Sequence, residues 1–159
     1  MNQNTRDYFQ QMYAVSSAYG EAKHKREREK EALIAADDWD GVQAWREREK
    51  QFPNPYTSGQ MKAYWAFSHS SEIGTDDLVM DDSLWEREVK DFSDTLRAAG
   101  VTTFVLTNQS TGLMEDIHNL EAQGWHLAGT CKLSVKEYRY GSDRIEEHLG
   151  LRFEIKKEC

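Results

Sequence analysis

Between Trp85 and Ala99 apolar residues recur as Trp85, Val89, Phe92, Leu96 and Ala99, in steps of four, three, four and three. That spacing predicts one buried stripe of an α-helix. Ser83 with Glu86 three residues later has the form of a capping box, and Gly100 a C-terminal stop. Val101 to Thr107 is β-branched and largely apolar, the pattern of a buried strand running parallel to its neighbour. Leu113, Ile117 and Leu120 mark a second helix that stops at Gly124. Trp125, Leu127, Gly129, Cys131, Leu133 and Val135 then alternate with polar positions, which predicts a strand with one buried face. A turn falls at 140–143. Leu149, Leu151, Phe153 and Ile155 alternate in a terminal strand antiparallel to the one before. Ahead of the first helix, the aromatic-rich stretch Met61 to Ser68 reads as a short strand.

The fold class expected is therefore α/β, with α+β as the alternative: a β-α-β-α-β-β unit over 61–159 with a mixed, mainly parallel four-stranded sheet. Right-handed crossovers on opposite faces give the strand order 2-1-3-4, with a crevice at the carboxyl ends of the first two strands.

Residues 1–52 have a different texture. Tyr8, Met12, Val15 and Tyr19 form one helical stripe that Gly20 is expected to end. A heavily charged stretch leads to Leu33–Ala36, and Val42, Trp45 and Phe52 belong to a further helix. The string Arg-Glu-Arg-Glu-Lys occurs at 26–30 and again at 46–50, which reads as two solvated helix faces of like composition. The chain's two prolines, Pro53 and Pro55, with Ser58 and Gly59, define a linker at 53–60. The expected organisation is a helical segment at 1–52, that linker, and an α/β domain at 61–159.

Charge sharpens this picture. The 159-residue chain has a net charge of −8 and a pI near 5.1. Nine carboxylates lie between Glu72 and Asp94, opposed only by Arg87 and Lys90, so one short segment carries −7. Such a balance argues against direct nucleic-acid binding and against an anionic membrane surface, and it favours a basic partner. There is no apolar run of membrane-spanning length, and the polar start of the sequence leads us to expect no secretory signal. Two cysteines, Cys131 in an alternating run and Cys159 at the end, suggest a reducing, cytoplasmic setting without disulfides.

Three chemistries can be set against these residues. Polar loops after the first two strands, His69 on one and Asn108, Gln109, Ser110 and Thr111 on the other, could hold a small ligand or nucleotide, with a helix N-terminus for an anion. No glycine-rich phosphate motif accompanies them. Clustered aspartates suit hard cations, but no ligand spacing for calcium or zinc occurs, so no metal or cofactor is expected. Cys131 sits mid-strand and Ser110 lacks a nucleophile-elbow context, so no catalytic residues are assigned and a non-enzymatic role ranks ahead of an enzymatic one. The remaining reading is a carboxylate array of Asp76, Asp77, Asp81, Asp82, Glu86 and Asp91 that mimics phosphate spacing, with Trp85 or Trp39 as aromatic contacts.

From Phe104 through Glu115, continuing to Gly124 and Trp125, the chain resembles small uncharacterised proteins of phages and bacterial mobile elements, among which are anti-CRISPR and other anti-defence proteins. The resemblance covers about the last hundred residues. It carries no functional residue over, and it implies an inhibitor that works by binding. The expected function is a cytoplasmic protein-binding module whose 72–94 face docks on the basic surface of a nucleic-acid-handling protein. The small-ligand or nucleotide site is the alternative.

Overall fold

A computed structural model describes residues 1–107, 112–139 and 141–157. Its elements run α1 (Gln3–Ala35), α2 (Trp39–Glu49), α3 (Ser58–Ile73), β1 (Leu78–Met80), α4 (Glu86–Ala98), β2 (Thr103–Thr107), α5 (Leu113–Ala122), β3 (Trp125–Arg139) and β4 (Ser142–Ile155). They group into two compact units, one made of residues 10–56 and the other of residues 1–9 with 57–159.

In the first unit, α1 continues past Gly20, where no helix stop forms. Asp38 caps α2 by accepting a hydrogen bond from the Gly41 N–H at 2.9 Å. Trp45 is buried, and its indole N–H donates to the Arg26 carbonyl at 2.8 Å. The Arg26 guanidinium pairs with Glu49 at 2.9 Å and lies 4.4 Å from the Phe52 ring centre. The repeated charged strings thus meet across the two helices, with Arg48 and Glu29 at 2.9 Å as a second pair.

The second unit is built on a four-stranded mixed sheet of order β1-β2-β4-β3. From residue 78 onward the elements follow the expected β-α-β-α-β-β order. The first strand, however, is Leu78–Met80, inside the acidic run, and the expected strand at 61–68 is part of helix α3. Thr57 and Gln60 form a capping box at its start, and Gly74 ends it in the left-handed region at φ 72°. Gly59, Ala63, Ala66 and Ser70 are its buried positions, a helical four-three-four spacing among the aromatics that suggested a strand.

Parallel pairing is confined to β1 with β2, fewer ladders than a mainly parallel sheet requires; β4 is antiparallel to both β2 and β3. The order 2-1-3-4, which needs crossovers on opposite faces, is not formed. Instead α4 and α5 pack together, both crossovers step away from β1 in the same direction, and the second skips one position that β4 fills. Gly150 permits this insertion, since a Cβ there would lie 2.4 Å from Val105 Cγ1. β1, β2 and β3 still point the same way.

One face of the sheet carries the main core. Phe104 meets Phe92 of α4 edge-on at 5.6 Å, Trp125 at 4.9 Å, and Phe153 in a stack at 5.3 Å. The other face has a smaller cluster of Val79, Val105 and Leu133 with Ile73 and Cys131. The alternation of β3 feeds both. A bulge between Leu127 and Gly129 shifts the register, so Leu127 pairs with Phe153 on the first face whereas Cys131 and Leu133 join the second. Ser70 covers the outer edge of β1, accepting the Val79 N–H at 2.7 Å while donating to the Ala66 carbonyl. Among the described residues no helix is long and apolar enough to cross a membrane.

Candidate functional site

The carboxylates of 72–94 do not form one face. β1 divides them, with Asp76 and Asp77 before it and Asp81 and Asp82 after it. Several are bound within the fold. Asp77 takes both arms of the Arg152 guanidinium at 3.2 Å each. That hydrogen-bonded carboxylate holds the Arg152 pKa above its ordinary value. Asp91 accepts from the Thr57 hydroxyl at 2.8 Å. Glu88 is buried and bonds Lys62 at 2.7 Å. Asp94 pairs with Lys90 one helical turn away, and that hydrogen bond is the main reason Lys90 titrates above the usual lysine value. Asp76 lies beside the chain start, where its backbone carbonyl accepts from the Met1 ammonium at 3.2 Å.

What remains collects around the β1–α4 loop, residues 81–85, at the carboxyl end of β1. On one side an open hollow of about 460 Å³ is lined by Trp65, Ser68, His69, Glu72, Asp81 and Asp82. On the other a hollow of about 640 Å³ is lined by Leu84, Trp85, Glu86, Gly112, Met114, Glu115, Asp116, His118 and Asn119. This second hollow is not the crevice expected from the sequence: that one is placed beside His69, which lines the first hollow, and beside 108–111, which lie outside the described residues. Its walls are the start of α4 and the start of α5. Three large apolar side chains stand exposed on this surface: Trp65 at 60%, Trp85 at 61% and Met114 at 82%.

His69 is placed differently from the sequence expectation. It lies on α3 rather than on a loop after a strand, and its Nε2 is 3.0 Å from an Asp81 carboxylate oxygen. Asn108, Gln109, Ser110 and Thr111 lie outside the described residues. Of the six acids assigned to a partner face, Asp81, Asp82 and Glu86 lie at the two hollows. Asp76, Asp77 and Asp91 line neither hollow. Trp39 belongs to the other unit.

Sequence spacing does not single out Trp65, Met114 or Glu115. Trp65 falls in the stretch that reads as a strand, although the Thr57–Gln60 capping box is present as a helix signal. Glu115 and Met114 lie off the Leu113, Ile117, Leu120 stripe, which marks them as outward-facing but not as site residues. Among the described residues no group of three histidine, cysteine or carboxylate side chains is arranged to hold a metal.

Chemically, the surface offers exposed indoles and unneutralised carboxylates beside one another. Glu72 and Glu86 have no ion-pair partner among the described residues, and Glu115 none either. Indole faces attract cations, and neighbouring carboxylates reinforce that preference. Phosphate oxygens would meet repulsion from Glu86 and Glu115.

A family described as a domain of unknown function, DUF7698, matches residues 62–155, more than half of the chain. No curated protein and no solved structure matches.

Proposed function

This chain belongs to the DUF7698 family, and we propose that its sheet domain is a protein-binding module that receives a basic segment of a partner along the β1–α4 loop. The observation that carries this reading is the exposure of Trp85 and Met114 on the walls of an acidic hollow, with Trp65 across the loop beside Glu72, Asp81 and Asp82. Exposed tryptophans among carboxylates combine apolar contact area with attraction for lysine and arginine side chains. The acids pick the sign of the partner and speed the encounter, and the aromatics supply the short-range energy. A partner whose cationic surface otherwise holds nucleic acid is the narrower form of this proposal. The same acidic walls disfavour an anionic ligand in this hollow.

The test uses the full chain and a tryptophan-free peptide rich in lysine and arginine, titrated by tryptophan fluorescence and calorimetry at low and physiological salt. Binding should weaken with salt. Trp85→Ala, and separately Glu86→Gln with Glu115→Gln, should each weaken it about tenfold, the effect of losing ~1.4 kcal/mol. Glu21→Gln with Glu31→Gln removes the same charge from exposed positions of α1 and should leave binding unchanged. Equal loss in both charge pairs would mean that only net charge matters. That result, or no binding at all, would overturn the proposal.

A further inference from the structure

The hairpin of β3 and β4 outruns the rest of the sheet. β2 pairs with β4 only from Gly150 to Glu154, so residues 142–149 have β3 on one side and no strand on the other among the described residues. A two-stranded ribbon alone is marginal in water, and this one exposes Ile145 at 78% and Leu149. The two outer edges of the ribbon differ. That of β3 over 132–139, the part paired with 142–149, has a sequence with three cationic residues, Lys132, Lys136 and Arg139, against Glu137. Lysines along an edge discourage pairing. That of β4 from 142 to 149 has no bulge and no proline, and its charges are of both signs.

We propose that this edge of β4 pairs antiparallel with the same edge of a second copy of the chain, centred on Ile145. Symmetry selects the register. A two-fold axis normal to the sheet keeps each face on its own side, so it admits only registers in which one residue lies opposite its own copy. Centring on Asp143, Arg144, Glu146 or Glu147 puts like charges together on the axis. Centring on Leu149 sets Gly150 opposite His148 and drives the second copy into the space of β2. Centring on Ile145 brings the two exposed isoleucines together and sets Arg144 opposite Glu146 of the second copy, twice. It also sets Asp143 opposite Glu147, twice, a like-charge pair that lies off the axis and that Lys132, 4.0 Å from Glu147, partly offsets. Pairing then spans 142–148 and ends before β2 begins, joining two four-stranded sheets into one of eight strands. The interface is small, so association depends on concentration.

The mass of the full chain is followed by light scattering after size exclusion over a concentration series, with far-UV circular dichroism to confirm folding. The wild type should pass from one chain mass to twice that mass as concentration rises. Arg144→Glu, or separately Glu146→Arg, should abolish the doubling by setting like charges opposite each other. Combining Arg144→Glu with Glu146→Arg should restore it, a rescue that a misfolded ribbon would not show. A single-chain mass at every concentration overturns the proposal. So does doubling that persists in both single variants, or a folded combined variant that stays single.

Discussion

Lys62 reaches three acceptors across the start of α4. Its ammonium is 2.7 Å from Glu88 and 3.8 Å from Asp82, and it donates to the Ser83 carbonyl. Glu88 in turn accepts from the Trp85 N–H at 3.4 Å and from the Ser58 hydroxyl at 3.3 Å. A charge buried in this way costs most when its partner alone is removed. Lys62→Met should therefore lower stability by about 3 kcal/mol at neutral pH. Adding Glu88→Gln should return part of that loss, because the amide still accepts from Trp85 and no unpaired charge is left. Urea denaturation of the two single variants and the combined one measures the coupling, and strict additivity would contradict the account.

The same residues show what the sequence could reveal at this scale. The density of carboxylates is plain to read, whereas Trp85 fits both the buried stripe and an exposed aromatic, and the structure leaves it 61% exposed at the N-cap of α4. Which carboxylates face inward is not legible. Asp77 is neutralised by Arg152, seventy-five positions away, and Asp91 is bound by a hydroxyl thirty-four positions away. Local composition holds no trace of either partner. Only a fold that brings β4 to β2 and the start of α3 to α4 separates structural acids from available ones.

Elements are legible in proportion to how far their own spacing determines them. α4, β2, α5 and the β3–β4 hairpin follow from period and turn chemistry, with Gly100, Gly112 and Gly124 at φ 77°, 83° and 86° where helices begin or end. But α4 starts two residues past the expected Ser83–Glu86 box, with Trp85 as its N-cap and Glu88 at N3. α3 reads as a strand because aromatic and small residues suit both states at short range, and the deciding signal lies upstream in the Thr57–Gln60 box. β1 is hidden because three apolar residues among aspartates give too short a window for any period. Strand order depends on β4, whose central position rests on a missing side chain. Gly150→Ala would place a methyl group against Val105 and Leu106 between two ladders, and overpacking of that kind costs about 1–3 kcal/mol. Thermal unfolding followed by near-UV circular dichroism should show that loss. A variant as stable as the wild type would mean that β4 does not lie so close to β2.

At the scale of the whole molecule, contiguity in sequence and contiguity in space diverge. The prolines at 53 and 55 mark a break in the chain, yet residues 1–9 belong with residues 57–159 rather than with the rest of their own helix. Three contacts hold them there. Thr5 donates its hydroxyl to the Ala99 carbonyl at 2.7 Å, and the Met1 ammonium donates to the Asp76 carbonyl at 3.2 Å. Phe9 is fully buried, its ring stacked 4.7 Å from that of Phe67. Phe9 should therefore govern the stability of the sheet domain although the whole of the other unit intervenes in sequence. Phe9→Ala removes a buried ring and leaves a cavity, at a cost of about 3–5 kcal/mol. Tyr13→Ala, one turn further along α1 at an exposed position, should cost less than about 0.5 kcal/mol. The readout must belong to the sheet domain, and hydrogen exchange of the β2 amides serves, since those are closed in the ladders with β1 and β4. If Phe9→Ala accelerates β2 exchange and Tyr13→Ala does not, the start of α1 is a working part of the sheet domain's core. If β2 protection is unchanged, Phe9 packs without stabilising the sheet, and a chain beginning at 57 should fold as well as the full one.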